Sequence, residues 1–303
     1  MIKLKSFAKI NLGLEISGKR PDGYHSLRTV FQTIDLFDTI EIRKNRSRKF
    51  RLKGSDPSVP WDQTNTVSRV IERVISQFPL PQGFDIFVSK QIPAGSGLGG
   101  GSGNAAVMLL FLNEFFQLGM SLERLRETAQ DVGADVPFFL LGGSALGEGR
   151  GEILTPLADL QLPLLALRLP KTGVSTRLVF SKLSLTNRPF PGKIDLFLQT
   201  KDFTVLENNL EDATFALFPE IGKTKEKMKE LGCEFVQMTG SGGAVFAFIA
   251  PEKFPALKRQ FPDVIMSKAI GRRYYQENIG VWPSGKASAF GAEIRRFESS
   301  RPS

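Results

Sequence analysis

The sequence is poor in the residues that build disulfides and metal sites. It has one cysteine, Cys233, and one histidine, His25, in 303 residues. A single thiol excludes an internal disulfide and a cysteine-based zinc site, and it is typical of a protein in a reducing cytoplasm. A single imidazole leaves no partner for a multi-histidine metal site. We therefore expect catalysis to depend mainly on lysine, carboxylate and backbone groups.

Long apolar runs are also missing. No uninterrupted apolar stretch approaches the ~20 residues that span a bilayer. The first residues, MIKLKSFAKINLGLEI, alternate polar and apolar side chains and contain no separate signal core, so they predict a first strand of the mature protein. Hydrophobic residues make up 41% and charged residues 23% of the chain, which is the balance of a globular protein. These features predict a cytoplasmic protein with no membrane partner.

The net charge of +9 is compatible with nucleic acid, a membrane surface or an anionic small substrate. The densest basic segment, residues 43–53, has seven basic residues in eleven. It lies between two strand-like runs and is interrupted by one aromatic residue, Phe50. A solvated hairpin is therefore favoured over a single-strand nucleic-acid site.

Hydrophobic periodicity predicts an α+β chain. In the first strand, Lys9 and Asn11 lie on one face. Further strands are predicted at residues 30–34, 39–43, 49–52, 84–92, 235–240 and 244–250. Helices are predicted after Asn65, which can cap the segment through its side-chain oxygen, and at residues 104–118, 121–132, 202–217 and 219–231. Ser121 is the expected N-cap of the third of these, and Gly133 its stop.

This pattern predicts two units and a tail. Residues 1–155 form an N-terminal unit and residues 156–280 a C-terminal unit. Residues 281–303 show neither helical nor strand periodicity and are rich in serine and basic residues, so we expect a disordered tail that adds nothing to catalysis.

A glycine loop precedes the second predicted helix. Six of the nine residues from Gly95 to Gly103 are glycine. Such a loop lets backbone N–H groups converge on an anion, and the following helix N-terminus adds a favourable dipole. No Gly-Lys-Ser/Thr follows, so this is not a Walker loop, and the setting of a dinucleotide fold is absent. The loop predicts phosphate binding of a third kind.

Two other segments carry chemistry. Asp135 follows the Gly133 helix stop and precedes an apolar Val-Pro-Phe-Phe run, which favours a general base with limited hydration over a loop aspartate that caps nearby N–H groups. The sequence MTGSGGAVFAF, residues 238–248, forms a small glycine turn between two strands. By itself this turn is a weak signal, since hairpins commonly use glycine.

Together these segments resemble the three motifs of the GHMP kinases, which phosphorylate small molecules with ATP. SFAKINLGLEI is similar to the first motif, IPAGSGLGGGSGNAA to the second and MTGSGGAVFAF to the third. The segments AKINLGLEISGKRPDGYHSL, LFDTIEI, GADVPFFLLGGSALGEGRGE and NNLE further resemble the members that phosphorylate the 2-hydroxyl of a diphosphocytidyl methylerythritol, on the non-mevalonate route to isoprenoid precursors. The resemblance implies an α+β GHMP kinase fold, with an N-terminal domain like domain 2 of ribosomal protein S5 and a C-terminal α/β domain.

The resemblance also implies roles for individual residues. The catalytic pair is Lys9 and Asp135, where Asp135 takes the proton of the acceptor hydroxyl and Lys9 polarises that hydroxyl or the γ-phosphate. ATP, with magnesium carried by the nucleotide and no metal held by the protein alone, is placed on Asn65, Pro93, Ala94, Gly95, Ser96, Gly97, Leu98, Gly99, Gly100, Gly101, Ser102, Gly103 and Asn104. The small-molecule substrate is placed on Asn11, Tyr24, His25, Phe31, Thr176, Phe180, Thr239, Gly240 and Ser241, with Tyr24 and His25 at the cytosine.

The sequence departs from the family at three points. Gly103 and Gly243 stand where serine is common, and Asn-Asn-Leu-Glu replaces the more frequent Asn-Asp-Leu-Glu. These changes put individual phosphate or structural contacts in doubt, but not the lysine or the aspartate.

Two alternatives stay open at this point. One is a GHMP kinase of another small alcohol, such as mevalonate, against which the Asp-Gly-Tyr-His segment argues. The other is a basic RNA-binding protein, because S5-like domains occur in that setting. Stabilisation by ATP would indicate the kinase, and salt-dependent RNA retention the RNA-binding protein.

Overall fold

The structure is a computed structural model, and it describes residues 1–20, 23–170, 173–183 and 189–280. The predicted tail, residues 281–303, lies outside the described residues. The strands are β1 (Ile2–Lys19), β2 (His25–Asn45), β3 (Arg51–Gly54), β4 (Gly83–Ser89), β5 (Ser144–Glu148), β6 (Ile153–Pro156), β7 (Leu165–Arg168), β8 (Glu234–Met238), β9 (Val245–Phe248) and β10 (Ile265–Ser267). The helices are α1 (Thr66–Ile75), α2 (Gly100–Phe115), α3 (Leu122–Val132), α4 (Val136–Leu141), α5 (Thr176–Ser181), α6 (Lys193–Thr200), α7 (Glu211–Leu217), α8 (Pro219–Glu230), α9 (Phe254–Gln260) and α10 (Arg272–Asn278).

The first sheet is built around the long strand β2. Its order is β3-β4-β2-β5-β6, with β1 paired along β2, and all pairs are antiparallel except β3 with β4. The sequence predicted two strands at 30–34 and 39–43, and this is wrong, since one strand runs through both. The pattern breaks at a bulge, because Phe7 faces Phe37 while the next residue, Ala8, faces Ile34.

The basic segment 43–53 is not a hairpin. Most of its side chains are exposed, as predicted. However, β3 pairs with β4 and not with β2, because β4 occupies the position between them.

Several predicted helix ends are confirmed by their hydrogen bonds. The Asn65 side chain accepts from Val67 N at the start of α1, and Ser121 accepts from Arg124 N at the start of α3, which ends at Gly133. By contrast, α2 begins inside the glycine loop, at Gly100.

The helix predicted at 202–217 is wrong as a single element. The structure has α6, a 3-10 turn at Phe203–Val205 and then α7. Residues 207–209 are not helical because their backbone pairs with β1, at Leu14. The sequence did not predict α4, α5, α6, α9, α10, β5, β6, β7 and β10, since their short runs show no clear period.

The second sheet has the order β10-β7-β9-β8, with the predicted glycine turn between β8 and β9. The described residues form three apolar clusters, and β1 contributes to all of them. Leu4 and Phe7 pack with α1–α4 and α10, Ile10 packs with the second sheet, and Leu14 and Ile16 pack towards α8.

The proposed division at residue 155 stays a prediction. Among the described residues, β6 is the last strand of the first sheet and β7 the next strand, in the second sheet. Within the same ranges we find no helix with the length and apolar character of a membrane span.

Candidate active site

Lys9 and Asp135 meet in space, although 126 positions separate them in the sequence. Lys9 Nζ lies 3.4 Å from Asp135 Oδ2 and 2.6 Å from Asn11 Oδ1. The lysine side chain is 3% exposed, whereas that of Asp135 is 36% exposed. A buried ammonium needs such acceptors, and the more exposed carboxylate can also be reached by a ligand.

Local structure explains why both groups point here. Lys9 N donates to Leu98 O at 3.0 Å, which ties β1 to the glycine loop. Asp135 immediately precedes α4, but its side chain makes no capping hydrogen bond to that helix. The ring of Phe31 lies 5.3 Å from Lys9 Nζ and adds a cation–π contact.

Asn11 is held from three sides. Its Nδ2 donates to Thr29 Oγ1 at 2.8 Å, and its backbone N donates to Thr239 Oγ1 at 3.0 Å. The Thr29 hydroxyl in turn donates to Gly13 O at 2.7 Å. These bonds leave Asn11 Oδ1 facing Lys9.

Three residues of the glycine loop lie in the left-handed region of backbone conformation. Gly95, Gly97 and Gly99 have positive φ values of 66°, 79° and 74°, which favour glycine. The 16-residue helix α2 follows without a side-chain cap at Gly99. The first turn of this helix therefore offers N–H groups to an anion. Asn104 Oδ1 is buried and has no hydrogen-bond partner among the described residues.

The second glycine turn packs directly on this loop. A Cβ added at Gly97 would lie 2.2 Å from Thr239 O, so only glycine fits there. Ala244 N donates to Ser96 O at 3.0 Å, and Val174 N donates to Gly95 O at 2.9 Å. The turn, a weak signal in the sequence, is thus part of the same backbone cluster.

Aromatic and hydroxyl side chains form a second group. The rings of His25 and Phe180 lie 5.2 Å apart, and Thr176 Oγ1 lies 2.6 Å from Ser241 Oγ. Burial, followed by the charge of Lys19, lowers the pKa of His25, so its imidazole is neutral at neutral pH and can both donate and accept a hydrogen bond.

Tyr24 is 56% exposed, and the loop that contains Arg150 and Gly151 lies near both Tyr24 and Asp135. The Arg150 guanidinium lies 4.9 Å from the centre of the Tyr24 ring. A Cβ on the next residue, Gly151, would lie 3.8 Å from Asp135 Oδ1 and 3.5 Å from the edge of Phe31. The structure thus brings the predicted Tyr24, Phe31 and Asp135 around one loop.

Asn65 lies on the α2 side of the site. The residue after it, Thr66, donates through Oγ1 to Gly101 O at 2.8 Å. Sequence reasoning missed Lys90, whose Nζ would lie 2.9 Å from a Cβ at Gly100 and which is paired with Asp38. It also missed Arg150, although the Gly-Arg-Gly sequence beside the Asp135 motif was a usable signal.

Two family models match the chain. The GHMP kinases N terminal domain matches residues 65–143, and the GHMP kinases C terminal matches residues 196–263. Together with the lysine–aspartate pair beside the glycine loop, these matches define a small-molecule kinase of the GHMP type.

Comparison with similar proteins identifies the family within this class of kinases. A 4-diphosphocytidyl-2-C-methyl-D-erythritol kinase of Clostridium beijerinckii is 37% identical over 281 residues, 89% of this chain and 100% of the relative. One of Geobacter metallireducens is 40% identical over 256 residues, 83% of this chain and 90% of the relative. The crystal structure of a 4-(cytidine 5'-diphospho)-2C-methyl-D-erythritol kinase matches with a TM-score of 0.74 and 30% identity, over 89% of this chain and 100% of that one. The chain belongs to the 4-diphosphocytidyl-2-C-methyl-D-erythritol kinase family of the GHMP kinases, which confirms the family and the α+β fold that the motifs predicted.

Proposed function

We propose that the protein phosphorylates the 2-hydroxyl of 4-diphosphocytidyl-2-C-methyl-D-erythritol with ATP, on the non-mevalonate route to isoprenoid precursors. The observation that carries the proposal is the Lys9–Asp135 pair beside a phosphate-type glycine loop. The relatives that match across nearly the whole chain bear the name of this activity.

Asp135 is the general base. Its carboxylate takes the proton of the acceptor hydroxyl as that oxygen bonds to the γ-phosphorus, while the bond from this phosphorus to the β,γ-bridging oxygen breaks and ADP leaves. Lys9 holds the carboxylate at 3.4 Å and places positive charge beside the transferred group. Since Lys9 is fixed by Asn11, the pair needs little reorganisation during the reaction.

The glycine loop fits the phosphates of ATP, which supplies the phosphoryl group when it is bound. Three glycines with positive φ and an uncapped α2 expose backbone N–H groups in a small space. Asn65, at the α1 N-cap, is assigned to the nucleotide side.

The second group is assigned to the cytidyl substrate. A neutral His25 can pair with the donor and acceptor edge of cytosine while an aromatic ring stacks on its face. Tyr24 and Phe180 supply such rings, and Arg150 brings a cation near the diphosphate. Thr176 and Ser241, whose hydroxyl groups are joined by a hydrogen bond, are assigned to the same part of the substrate site.

Magnesium, which we expect to arrive with ATP, stays a prediction. In the described part of the chain no group of three or more His, Cys, Asp or Glu side chains is placed to hold a metal ion. A cytoplasmic location and the lack of a nucleic-acid partner also stay predictions.

Transfer of labelled phosphate from ATP tests the proposal. We expect label on 4-diphosphocytidyl-2-C-methyl-D-erythritol, and little or none on mevalonate or homoserine at equal concentration. Preferred labelling of another alcohol would reject the substrate but keep the kinase, and no transfer to any alcohol would reject both.

A further inference from the structure

The Asn-Asn-Leu-Glu segment joins β1 to the turn between β8 and β9. Leu14 N donates to Glu207 O at 2.8 Å, and Asn209 N donates back to Leu14 O at 2.9 Å. Asn209 Oδ1 accepts from Ile16 N at 3.1 Å. The segment therefore continues the strand pairing on β1, the strand that carries Lys9.

Asn208 faces the glycine turn instead. Its Nδ2 donates to two carbonyls, Met238 O and Gly240 O, each at 2.8 Å, and its Oδ1 accepts from Leu210 N at 3.0 Å. The residue is 5% exposed. The two N–H groups of this buried amide bind the carbonyls that precede and follow residue 239. They therefore fix that part of the turn in one conformation.

The residue between the two carbonyls is Thr239, which is fully buried. Its hydroxyl accepts from Asn11 N at 3.0 Å and lies 3.3 Å from Asn11 Oδ1. Asn11 Oδ1 accepts from Lys9 Nζ at 2.6 Å, and Lys9 contacts Asp135. Asn208 is thus connected to the catalytic pair by hydrogen bonds to the backbone on both sides of Thr239 and by the polar contacts of the Thr239 hydroxyl, Asn11 and Lys9.

The same turn also supports the glycine loop. Thr239 O lies so close to Gly97 that a Cβ added at Gly97 would be 2.2 Å from this oxygen. In addition, Ala244 N donates a hydrogen bond to Ser96 O. Displacement of the turn would therefore move both the lysine and the phosphate loop.

We propose that Asn208 is a positioning residue for phosphoryl transfer, which acts through Thr239 and Asn11 to set Lys9 against Asp135. The proposal rests on the proposed function, since it assigns Asn208 to the same site. It differs from a purely structural role, in which Asn208 would stabilise the fold without affecting the geometry of the pair.

Two adjacent, charge-matched variants test it. Asn208→Asp removes both donors and turns a carboxylate towards two carbonyls. Asn209→Asp adds the same charge one residue away but keeps the oxygen that accepts from Ile16 N. We expect Asn208→Asp to lower kcat about 10²-fold, the cost of a small misplacement of reacting groups, with the KM of each substrate within about threefold of wild type. Asn209→Asp should stay within about threefold of wild type in kcat.

Two outcomes would contradict the positioning role of Asn208. Equal kcat for the two variants, or a fall in kcat that only follows the folded fraction measured by circular dichroism, would overturn the proposal. If Asn208→Asp does not fold, Asn208→Ala replaces it in the same assays, because alanine removes the donors without adding a charge.

The measurement also separates this proposal from the proposed function. The assay uses whichever alcohol the wild-type enzyme phosphorylates, so a wrong substrate does not affect the comparison. Where wild type transfers phosphate to no alcohol, amide hydrogen exchange of residues 239–244 and of Lys9 decides. Faster exchange at both places in Asn208→Asp, and not in Asn209→Asp, supports the linkage, and unchanged exchange at Lys9 rejects it.

Discussion

Lys9 is a charged side chain on a strand whose alternate residues are core residues. Its ammonium is buried, and it is stabilised by an amide oxygen, a carboxylate and an aromatic ring. Burial of a charge is costly unless such partners are present. Burial of the lysine charge would be unfavourable with any one of these partners alone, and the three partners together offset its cost.

Replacement of the proposed base should separate chemistry from folding. We expect Asp135→Asn to keep the fold and ATP binding but to lower kcat by ~10²–10⁴, the range for a lost general base. Steady-state kinetics and calorimetric titration with ATP measure the two effects. Asp131→Asn is the matched control, because Asp131 lies at the surface of α3 and pairs with Arg73. Turnover of Asp135→Asn within about a factor of three of wild type would leave positioning alone to explain the rate.

The nucleobase assignment of His25 predicts a selective effect on binding. We expect His25→Ala to raise the KM of the cytidyl substrate much more than that of ATP, because an unpaired base edge costs ~1–3 kcal/mol. Initial rates with each substrate varied in turn measure both constants. Equal increases in the two would remove His25 from the nucleobase pocket.

Sequence reasoning singled out the aspartate and the glycine loop from their local patterns, and it assigned a role to Lys9 through the resemblance of its strand to the first motif. Lys9 and Asn11 could be placed on one face by alternation alone. The contacts of Lys90 could not be predicted, since its partner Asp38 is distant in sequence, whereas the Gly-Arg-Gly sequence was a usable signal for Arg150. The hydrogen bonds of Asn208 could not be predicted either, because the carbonyls that it binds, at residues 238 and 240, are distant in sequence.

At the scale of elements, the glycine loop is part loop and part helix. Residues 95–99 use left-handed glycines, whereas Gly100 and the residues after it form the first turn of α2. Glycine is a poor helix former, so sequence reasoning placed the helix start too late, at Asn104. The same limit applies to β2, where the bulge at 35–36 was interpreted as a gap between two strands.

The close contact between the two glycine segments gives an element-scale prediction. Gly97→Ala and Gly119→Ala both force alanine into positive φ, at a cost of about 1–2 kcal/mol. Only Gly97 also has a neighbour in the way, because nothing lies within 4 Å of a Cβ at Gly119. We therefore expect Gly97→Ala to lose activity by about 10²-fold and Gly119→Ala to keep it. Urea unfolding and kcat measured together test this, and equal kcat in both variants would contradict it.

At the scale of the molecule, the last described helix belongs to the first core. Tyr275 of α10 is fully buried, and its hydroxyl donates to Phe139 O at 2.5 Å. Its ring packs near Phe7 at 5.8 Å. The sequence predicted two consecutive units, but seven residues of which two are aromatic gave no sign that α10 returns to the beginning of the chain.

Two truncations measure the importance of this return. Removal of residues 281–303 should leave kcat and the free energy of unfolding unchanged, because we expect no catalytic role for them. Removal of residues 271–303 also deletes α10 and should destabilise the fold by at least about 3 kcal/mol, the scale for loss of one buried aromatic side chain. A large loss of activity in the shorter deletion, with the fold intact, would show that the tail belongs to the enzyme.

The return of α10 also bears on how the protein is made. A ribosome adds about 5–20 residues per second, so roughly 6–24 s pass between synthesis of β6 and of Tyr275, some 120 residues later. During this interval the nascent chain has most of its first core but lacks the aromatic side chain that covers Phe7 and Phe139. The core of the amino-terminal part of the chain is therefore incompletely covered during this interval, and chaperones and proteases can reach it until α10 has been made.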